Sequence, residues 1–127
     1  MSRILAPLVL AVLLAGCAAS TSAPRVASPS SELITHEQLN ERTYASLYEA
    51  VRSLHAGWLR TRGGESFAGS SQVLVYRDGM RVGGVAALRS INAREIGYVR
   101  YYDGNSATAR WGLGHGNGVI FVSTLPL

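Results

Sequence analysis

Cysteine, histidine and carboxylate side chains supply most of the chemistry in protein sites, and this chain offers few useful arrangements of them. Its single cysteine, Cys17, excludes an intramolecular disulfide and a metal site built on several thiolates. The three histidines, His36, His55 and His115, have no partner at the spacing that places two ligands on one helix face. We therefore predict no metal ion at any of them.

His115 has the strongest claim of the three to a catalytic role. It lies in the glycine-rich run 112–118. A general base needs a nucleophile within hydrogen-bonding reach, and the sequence identifies none. The glycines precede a predicted strand and no lysine follows them, which argues against a phosphate-binding loop. We predict a structural or solvent-facing His115 on an exposed, flexible connection.

The carboxylates are scattered along the chain, and no pair of them is placed for acid–base catalysis. Asp78 is accounted for by a predicted turn, and the first glutamates by an exposed helical face. We therefore predict that the protein is not an enzyme and holds no cofactor. The acidic residues considered are Glu37, Glu41, Glu49, Glu65, Asp78, Glu95 and Asp103.

Aromatic and arginine side chains are dense between residues 98 and 115, and these two types are favoured at the centres of protein interfaces. The sequence allows two interpretations of this segment. Either half of the aromatic residues of the segment face the core and half cover an open sheet face, or the segment forms a partner-binding surface; the aromatic residues considered are Tyr98, Tyr101, Tyr102 and Trp111. The residues of that possible partner surface are Tyr98, Arg100, Tyr102, Arg110, Trp111 and His115.

The start of the chain predicts its cellular location. A basic residue, Arg3, precedes an apolar run over 4–15 that is too short to span a bilayer, and small residues follow, as in a secretory signal peptide. The run Leu-Ala-Gly-Cys ending at Cys17 resembles the lipobox of bacterial lipoproteins. That resemblance implies cleavage before Cys17 and lipidation of its sulfur with chains such as palmitate. Ala18 then implies transfer to the outer membrane; the alternative is an ordinary cleaved signal peptide with an incidental cysteine.

Three segments follow from these patterns: a signal peptide at 1–16, a lipidated cysteine with a Ser/Ala/Pro-rich flexible tether at 17–31, and one small domain at 32–127. The formal net charge is +4, and all twelve basic residues are arginines that are dispersed along the chain. We expect no nucleic-acid partner, because there is no basic stripe and the chain carries an export signal.

Within the domain, helical patterns come first and strand patterns follow. Thr35 to Gln38 has the form of a capping box, and apolar residues recur at helical spacing over 44–55. Asp78-Gly79 between two short apolar runs is typical of a tight hairpin. The prediction is an α+β fold with N-terminal helices followed by a short mixed sheet of three to four strands. The predicted strands and turns are strands at 73–76, 80–82, 96–102 and 119–122, a helical turn at 85–88 and a turn at 103–105.

In order and spacing, four of these elements resemble the plug domain of TonB-dependent outer-membrane receptors. The resemblance extends over about residues 32–124. It rests on the strand with Asp-Gly at 73–79, the Leu-Arg-Ser-Ile run at 88–91 followed by Glu95, Ile96 and Val99, the Ser-Ala run at 106–112, and the Gly-x-Gly-Val-Ile run at 116–124.

The resemblance implies a plug-like domain, and we expect no barrel to accompany it because the chain ends three residues after Thr124. We therefore predict a non-enzymatic lipoprotein on the periplasmic face of the outer membrane. It would act as an interaction module of the envelope or of an outer-membrane transport complex, with a barrel or transport protein as partner. The alternative is a module that binds a small ligand, such as a siderophore, a glycan or a metal complex, around residues 110–117.

Overall fold

The computed structural model describes residues 31–61 and 72–127. The predicted signal peptide, Cys17 and nearly all of the tether therefore lie outside the described residues. Within these two ranges the chain forms five strands and three α-helices, joined by three short 3₁₀ segments. The strands are β1 (Leu33–Thr35), β2 (Leu74–Arg77), β3 (Met80–Gly84), β4 (Tyr98–Tyr102) and β5 (Val119–Ser123); the helices are α1 (His36–Asn40), α2 (Leu47–His55) and α3 (Gly104–Trp111); the 3₁₀ segments are Ala56–Leu59, Val85–Ser90 and Ala93–Glu95.

Local sequence signals define the ends of the first two helices. The Thr35 hydroxyl accepts from the backbone N–H of Gln38 while the Gln38 side chain accepts from the Thr35 N–H, which is the predicted capping box. The Ser46 hydroxyl accepts from the N–H of Glu49 and caps α2 in the same way. Helix α2 therefore begins at Leu47, three residues later than the apolar periodicity predicted.

The hairpin between β2 and β3 is confirmed. Asp78 and Gly79 have φ values of +48° and +87°, as a tight turn between twisted strands requires. The Asp78 carboxylate accepts hydrogen bonds from the backbone N–H and the hydroxyl of Thr124, at 2.9 and 3.1 Å. This contact joins the turn to the end of β5.

The five strands form one mixed sheet in the order β1-β4-β5-β2-β3. Strand β5 pairs antiparallel with β4 and parallel with β2, so residues far apart in sequence become neighbours, such as Tyr76 and Phe121. The α+β class is confirmed. Strand β1 adds a member that the sequence analysis did not predict, because a three-residue strand has no readable alternation of its own.

Alternating residues of the strands cover one side of the sheet with aliphatic side chains, and we call this side the core face. Helix α2 and the 3₁₀ segments pack on it, and Trp58 lies 5.5 Å from Tyr101, ring centre to ring centre. The strand residues of the core face are Ile34, Val75, Val99, Tyr101, Ile120 and Val122, all of which are buried.

The opposite side of the sheet is covered in part by α3, which replaces the turn predicted at 103–105. The Asp103 carboxylate accepts from the backbone N–H of Ser106 and caps the helix, and Gly112 ends it with a φ of +91°. An Asp-Gly-Asn run is typical of turns, and here its aspartate serves as a helix cap instead.

Candidate functional site

The second side of the sheet carries the residues that the sequence analysis singled out, and we call it the aromatic face. It consists of the strand residues that alternate with those of the core face, together with the two last residues of α3. Leu74, Ala107 and Val119 form a small buried cluster beneath it. The residues of the aromatic face are Tyr76, Tyr98, Arg100, Tyr102, Phe121, Arg110 and Trp111.

Trp111 lies at the centre of the aromatic face. Its ring centre is 5.1 Å from those of Tyr76 and Tyr102, the first stacked and the second edge-on, and 6.4 Å from that of Phe121. Aromatic pairs at these separations each contribute about 0.5–1.5 kcal/mol beyond the area they bury. The last turn of α3 is therefore attached to three different strands of the sheet.

Arg110 lies over this aromatic cluster, with its guanidinium carbon 5.3 Å from the ring centre of Tyr102, 5.0 Å from that of Trp111 and 5.9 Å from that of Phe121. One of its terminal nitrogens donates to the Tyr102 hydroxyl at 3.4 Å. These contacts orient the guanidinium while the residue stays exposed to solvent.

His115 is buried, which corrects the expectation of an exposed, flexible position. Its Nε2 lies 2.8 Å from the Tyr76 hydroxyl and its Nδ1 lies 2.9 Å from the Gly112 carbonyl oxygen. Since a carbonyl oxygen only accepts, Nδ1 carries the proton and the Tyr76 hydroxyl donates to Nε2. Both ring nitrogens are thus occupied, and His115 ties the loop after α3 to β2.

Tyr98 and Arg100 occupy the half of the aromatic face that α3 does not cover. The ring of Tyr98 lies 6.3 Å from that of Phe121, and Arg100 is paired across the sheet with the same phenylalanine. Arg100 is exposed and Tyr98 is partly exposed. The six residues predicted as a partner surface thus lie on one side of the molecule, with His115 beneath it rather than on it.

Two aromatic residues of this face, Tyr76 and Phe121, were absent from the sequence-based set. Both alternate with buried aliphatic residues in apolar runs that predict strands. Such runs do not reveal which strands will pair. The parallel pairing of β2 with β5 is what brings the rings of Tyr76 and Phe121 beside Trp111. Tyr101, by contrast, faces the core.

An open cleft of about 630 Å³ lies between β4 and α3 at one edge of the aromatic face. Arginine side chains enter it from both elements, and Asp103 lies at the start of the helix. Glu32 lines the cleft as well, so two carboxylates and two guanidinium groups surround it. The residues that line the cleft are Glu32, Arg100, Tyr101, Tyr102, Asp103, Ser106, Ala109 and Arg110.

The other two histidines lie outside this face. Nδ1 of His36 lies 2.7 Å from the Ile96 carbonyl oxygen, and its Nε2 lies 3.0 Å from the amide nitrogen of Asn40. His55 stacks on Trp58 with 4.4 Å between ring centres, and burial lowers its pKa. Across residues 31–61 and 72–127, no group of three potential metal ligands comes together.

No protein-family model matches the chain, and no curated protein matches it. Among solved structures, the chain is similar to a chain of the RagAB peptide importer in its open-open state, with a TM-score of 0.51 and 20% identity. The match covers 73% of this chain and 12% of the importer chain, so this protein corresponds to a small part of that one. At this identity the similarity shows the fold alone, and that fold is consistent with the predicted plug-like domain.

Proposed function

We propose that this protein is a non-enzymatic envelope lipoprotein whose plug-like domain binds a protein partner through the aromatic face. The observation that carries the proposal is the composition of that face, where an oriented arginine and a second exposed arginine flank clustered tyrosine, tryptophan and phenylalanine rings. These residue types dominate the energetic centres of protein interfaces.

The way the sheet uses its two sides supports binding at the aromatic face. The strand residues of the core face are buried by the protein's own helices. On the aromatic face, Tyr98, Tyr102 and Phe121 remain partly exposed although they are large, and Arg100 is exposed. A partner that covered these side chains would remove apolar area from water at about 25 cal/mol per Å².

The fold similarity supports an outer-membrane transport complex as the setting. The matched structure is that of a peptide importer, and this domain corresponds to a small share of one of its chains. We propose that the present chain contacts a barrel or transport protein from the periplasmic face of the outer membrane.

Lipidation at Cys17 supplies the attachment in this proposal. Across the described residues, no helix has the length and apolar character needed to cross a bilayer. Two or more acyl chains on one cysteine give stable anchoring, whereas one chain gives marginal binding. Cys17→Ser should therefore abolish incorporation of labelled palmitate and move the protein out of the membrane fraction; unchanged fractionation would contradict the anchor.

Site-directed cross-linking in intact cells tests the partner. A photoreactive phenylalanine analogue at Tyr98 should capture a specific barrel or transport protein, because Tyr98 lies on the uncovered half of the aromatic face. The same analogue at Arg52, an exposed residue of α2 on the other side of the sheet, is the control. Equal products at both sites would contradict the proposal. If Tyr98 captures no protein and siderophores, glycans or metal complexes raise the melting temperature, the ligand-binding alternative replaces it.

A further inference from the structure

We propose that Leu113 is an anchor residue that inserts into an apolar pocket of the protein partner. This inference rests on the proposed function, since it names a side chain beside the aromatic face that would make an apolar contact with that partner. It depends on three features: the exposure of Leu113, the conformation of the loop around it, and the hydrogen bonds that hold this loop in place.

Leu113 is more exposed than any other large apolar side chain in residues 31–61 and 72–127. Its exposed fraction is 94%, compared with 74% for Met80, the next most exposed. Both chain neighbours of Leu113 are glycines, so no adjacent side chain shields it from water. An isobutyl group gains free energy when apolar surroundings replace the water around it. The surface that complements this side chain is therefore an apolar pocket.

The two glycines beside Leu113 are required by the backbone of the loop and not by lack of space. Gly112 has a φ of +91° and Gly114 a φ of +92°, in the region that residues with a Cβ atom rarely adopt. A Cβ atom at either position would meet nothing within 4 Å. The chain therefore turns immediately before and immediately after Leu113, which leaves the leucine at the tip of the loop.

Hydrogen bonds hold the loop on both sides of Leu113. The N–H of Gly112 donates to the carbonyl oxygen of Thr108 at 2.8 Å, and the Gly112 carbonyl oxygen accepts from Nδ1 of His115 at 2.9 Å. His115 is itself buried and bonded to the Tyr76 hydroxyl. The leucine thus lies between one position held by α3 and another held by β2. Because this backbone is ordered before binding, less conformational entropy is lost when the leucine is buried against a partner.

The position of Leu113 makes it continuous with the aromatic face. It follows Trp111, the centre of that face, by two residues, so the two Cα atoms are no more than about 7.6 Å apart. A protein that covered Trp111 would therefore extend onto the loop. A bilayer fits the loop less well, because segments that lie in a membrane interface present an apolar face of several side chains. The other exposed residues of this loop are glycines.

Photo-cross-linking of the full-length lipoprotein in intact cells tests the inference. A diazirine analogue of leucine at position 113 should capture the same barrel or transport protein, identified by mass spectrometry, that the phenylalanine analogue at Tyr98 captures. With the analogue at Tyr98, Leu113→Asp should lower the yield of this cross-link at least about tenfold, because a charge would have to enter an apolar pocket. Leu113→Met conserves the apolar volume and should keep the yield within about threefold of wild type.

Met80→Asp is the matched control for the introduced charge. Met80 pairs across the sheet with Arg77, so it lies on the side opposite to Tyr76 and the aromatic face. This variant should leave the Tyr98 cross-link unchanged. Both aspartate variants should keep the melting temperature of the wild-type protein within about 3 °C, because substitutions of exposed side chains have small effects on stability.

The outcomes separate this inference from the proposed function. An unchanged Tyr98 cross-link in Leu113→Asp would overturn the role of Leu113 and leave the proposed function intact, as would equal losses in Leu113→Asp and Met80→Asp. Capture of phospholipid alone at position 113 would assign the leucine to the bilayer instead. A barrel or transport protein captured at position 113 but not at Tyr98 would overturn the aromatic face as the binding site and retain the anchor.

Discussion

The two faces of one sheet differ in what covers them, and the difference separates folding from binding in this protein. On the core face, aliphatic side chains fill the space beneath α2 and the 3₁₀ segments. On the aromatic face, one short helix covers part of the surface, and ring contacts and a buried Tyr–His hydrogen bond hold the helix and its following loop there. Changes to the core face should therefore affect global stability, whereas changes to the aromatic face should affect binding and local structure.

The largest expected effect is on the core face. Leu47 is fully buried at the start of α2, and Leu47→Ala should lower the free energy of unfolding by about 3 kcal/mol, since it leaves a cavity. Urea unfolding followed by circular dichroism measures the change. Leu113→Ala is the control: Leu113 is 94% exposed after α3, and its truncation should change stability by less than about 0.5 kcal/mol. Similar losses at the two sites would remove the distinction between the faces.

A smaller loss is expected where α3 meets the glycine-rich loop. A Cβ atom at Gly104 would overlap the backbone carbonyl of Gly116, whereas a Cβ at Gly116 meets nothing within 4 Å. Gly104→Ala should destabilise the protein by about 1–3 kcal/mol through overpacking, and Gly116→Ala should be tolerated. In Gly104→Ala, the rate of amide hydrogen exchange should increase in α3 and its loop rather than in α2. A uniform loss of protection would indicate that the two faces unfold as one unit.

The buried hydrogen bond of the aromatic face should contribute less. Tyr76→Phe leaves Nε2 of His115 without its donor and should cost about 1–2 kcal/mol. Tyr98→Phe is the control, because none of the hydrogen bonds described for the structure involves the Tyr98 hydroxyl. A double-mutant cycle of Tyr76→Phe with His115→Leu measures the coupling between the two side chains. A coupling energy near zero would contradict the role of His115 as a structural tie.

The smallest effect concerns pH on the core side. Burial lowers the pKa of His55 below its ordinary value of 6.5, so the unfolded chain binds this proton more tightly than the folded protein does. Stability is therefore full above pH 6.5 and falls as the pH drops from there toward the folded-state pKa. His55→Gln should flatten this part of the stability–pH curve relative to wild type. The contributions of the other histidines to the pH dependence cancel in the difference between the two curves. Parallel curves would contradict the assignment.

The hairpin, the capping box and the α+β class were predictable because each depends on residues close together in sequence. Asp78-Gly79 requires only its own positive φ values, and Thr35 caps a helix with a residue three positions away. Helix α3 was not predicted, because its local signal favours a different structure. Its first residues, Asp-Gly-Asn, are typical of turns, and packing against β4 and β5 stabilises a helix that local propensity does not favour.

For the candidate site, the sequence predicted most of its residues but little of their arrangement. Tyr98, Arg100, Tyr102, Arg110 and Trp111 do lie together on one side of the sheet. His115 was predicted to be structural or solvent-facing on an exposed loop. Its burial was not predicted, because its partner Tyr76 is 39 residues away and no local pattern links the two. The segments up to residue 30, which include the predicted lipidation site, remain predictions of the sequence.

The sequence by itself determined the alternation of the strands and the type of side chain on each face. Residue types and their period along a strand are local properties, and they follow from backbone geometry once a strand forms. Only the tertiary structure decided which alternating residues meet. The parallel pairing of β2 with β5 and the placement of α3 bring Tyr76, Phe121 and Trp111 together, because those contacts are made between segments far apart in the chain.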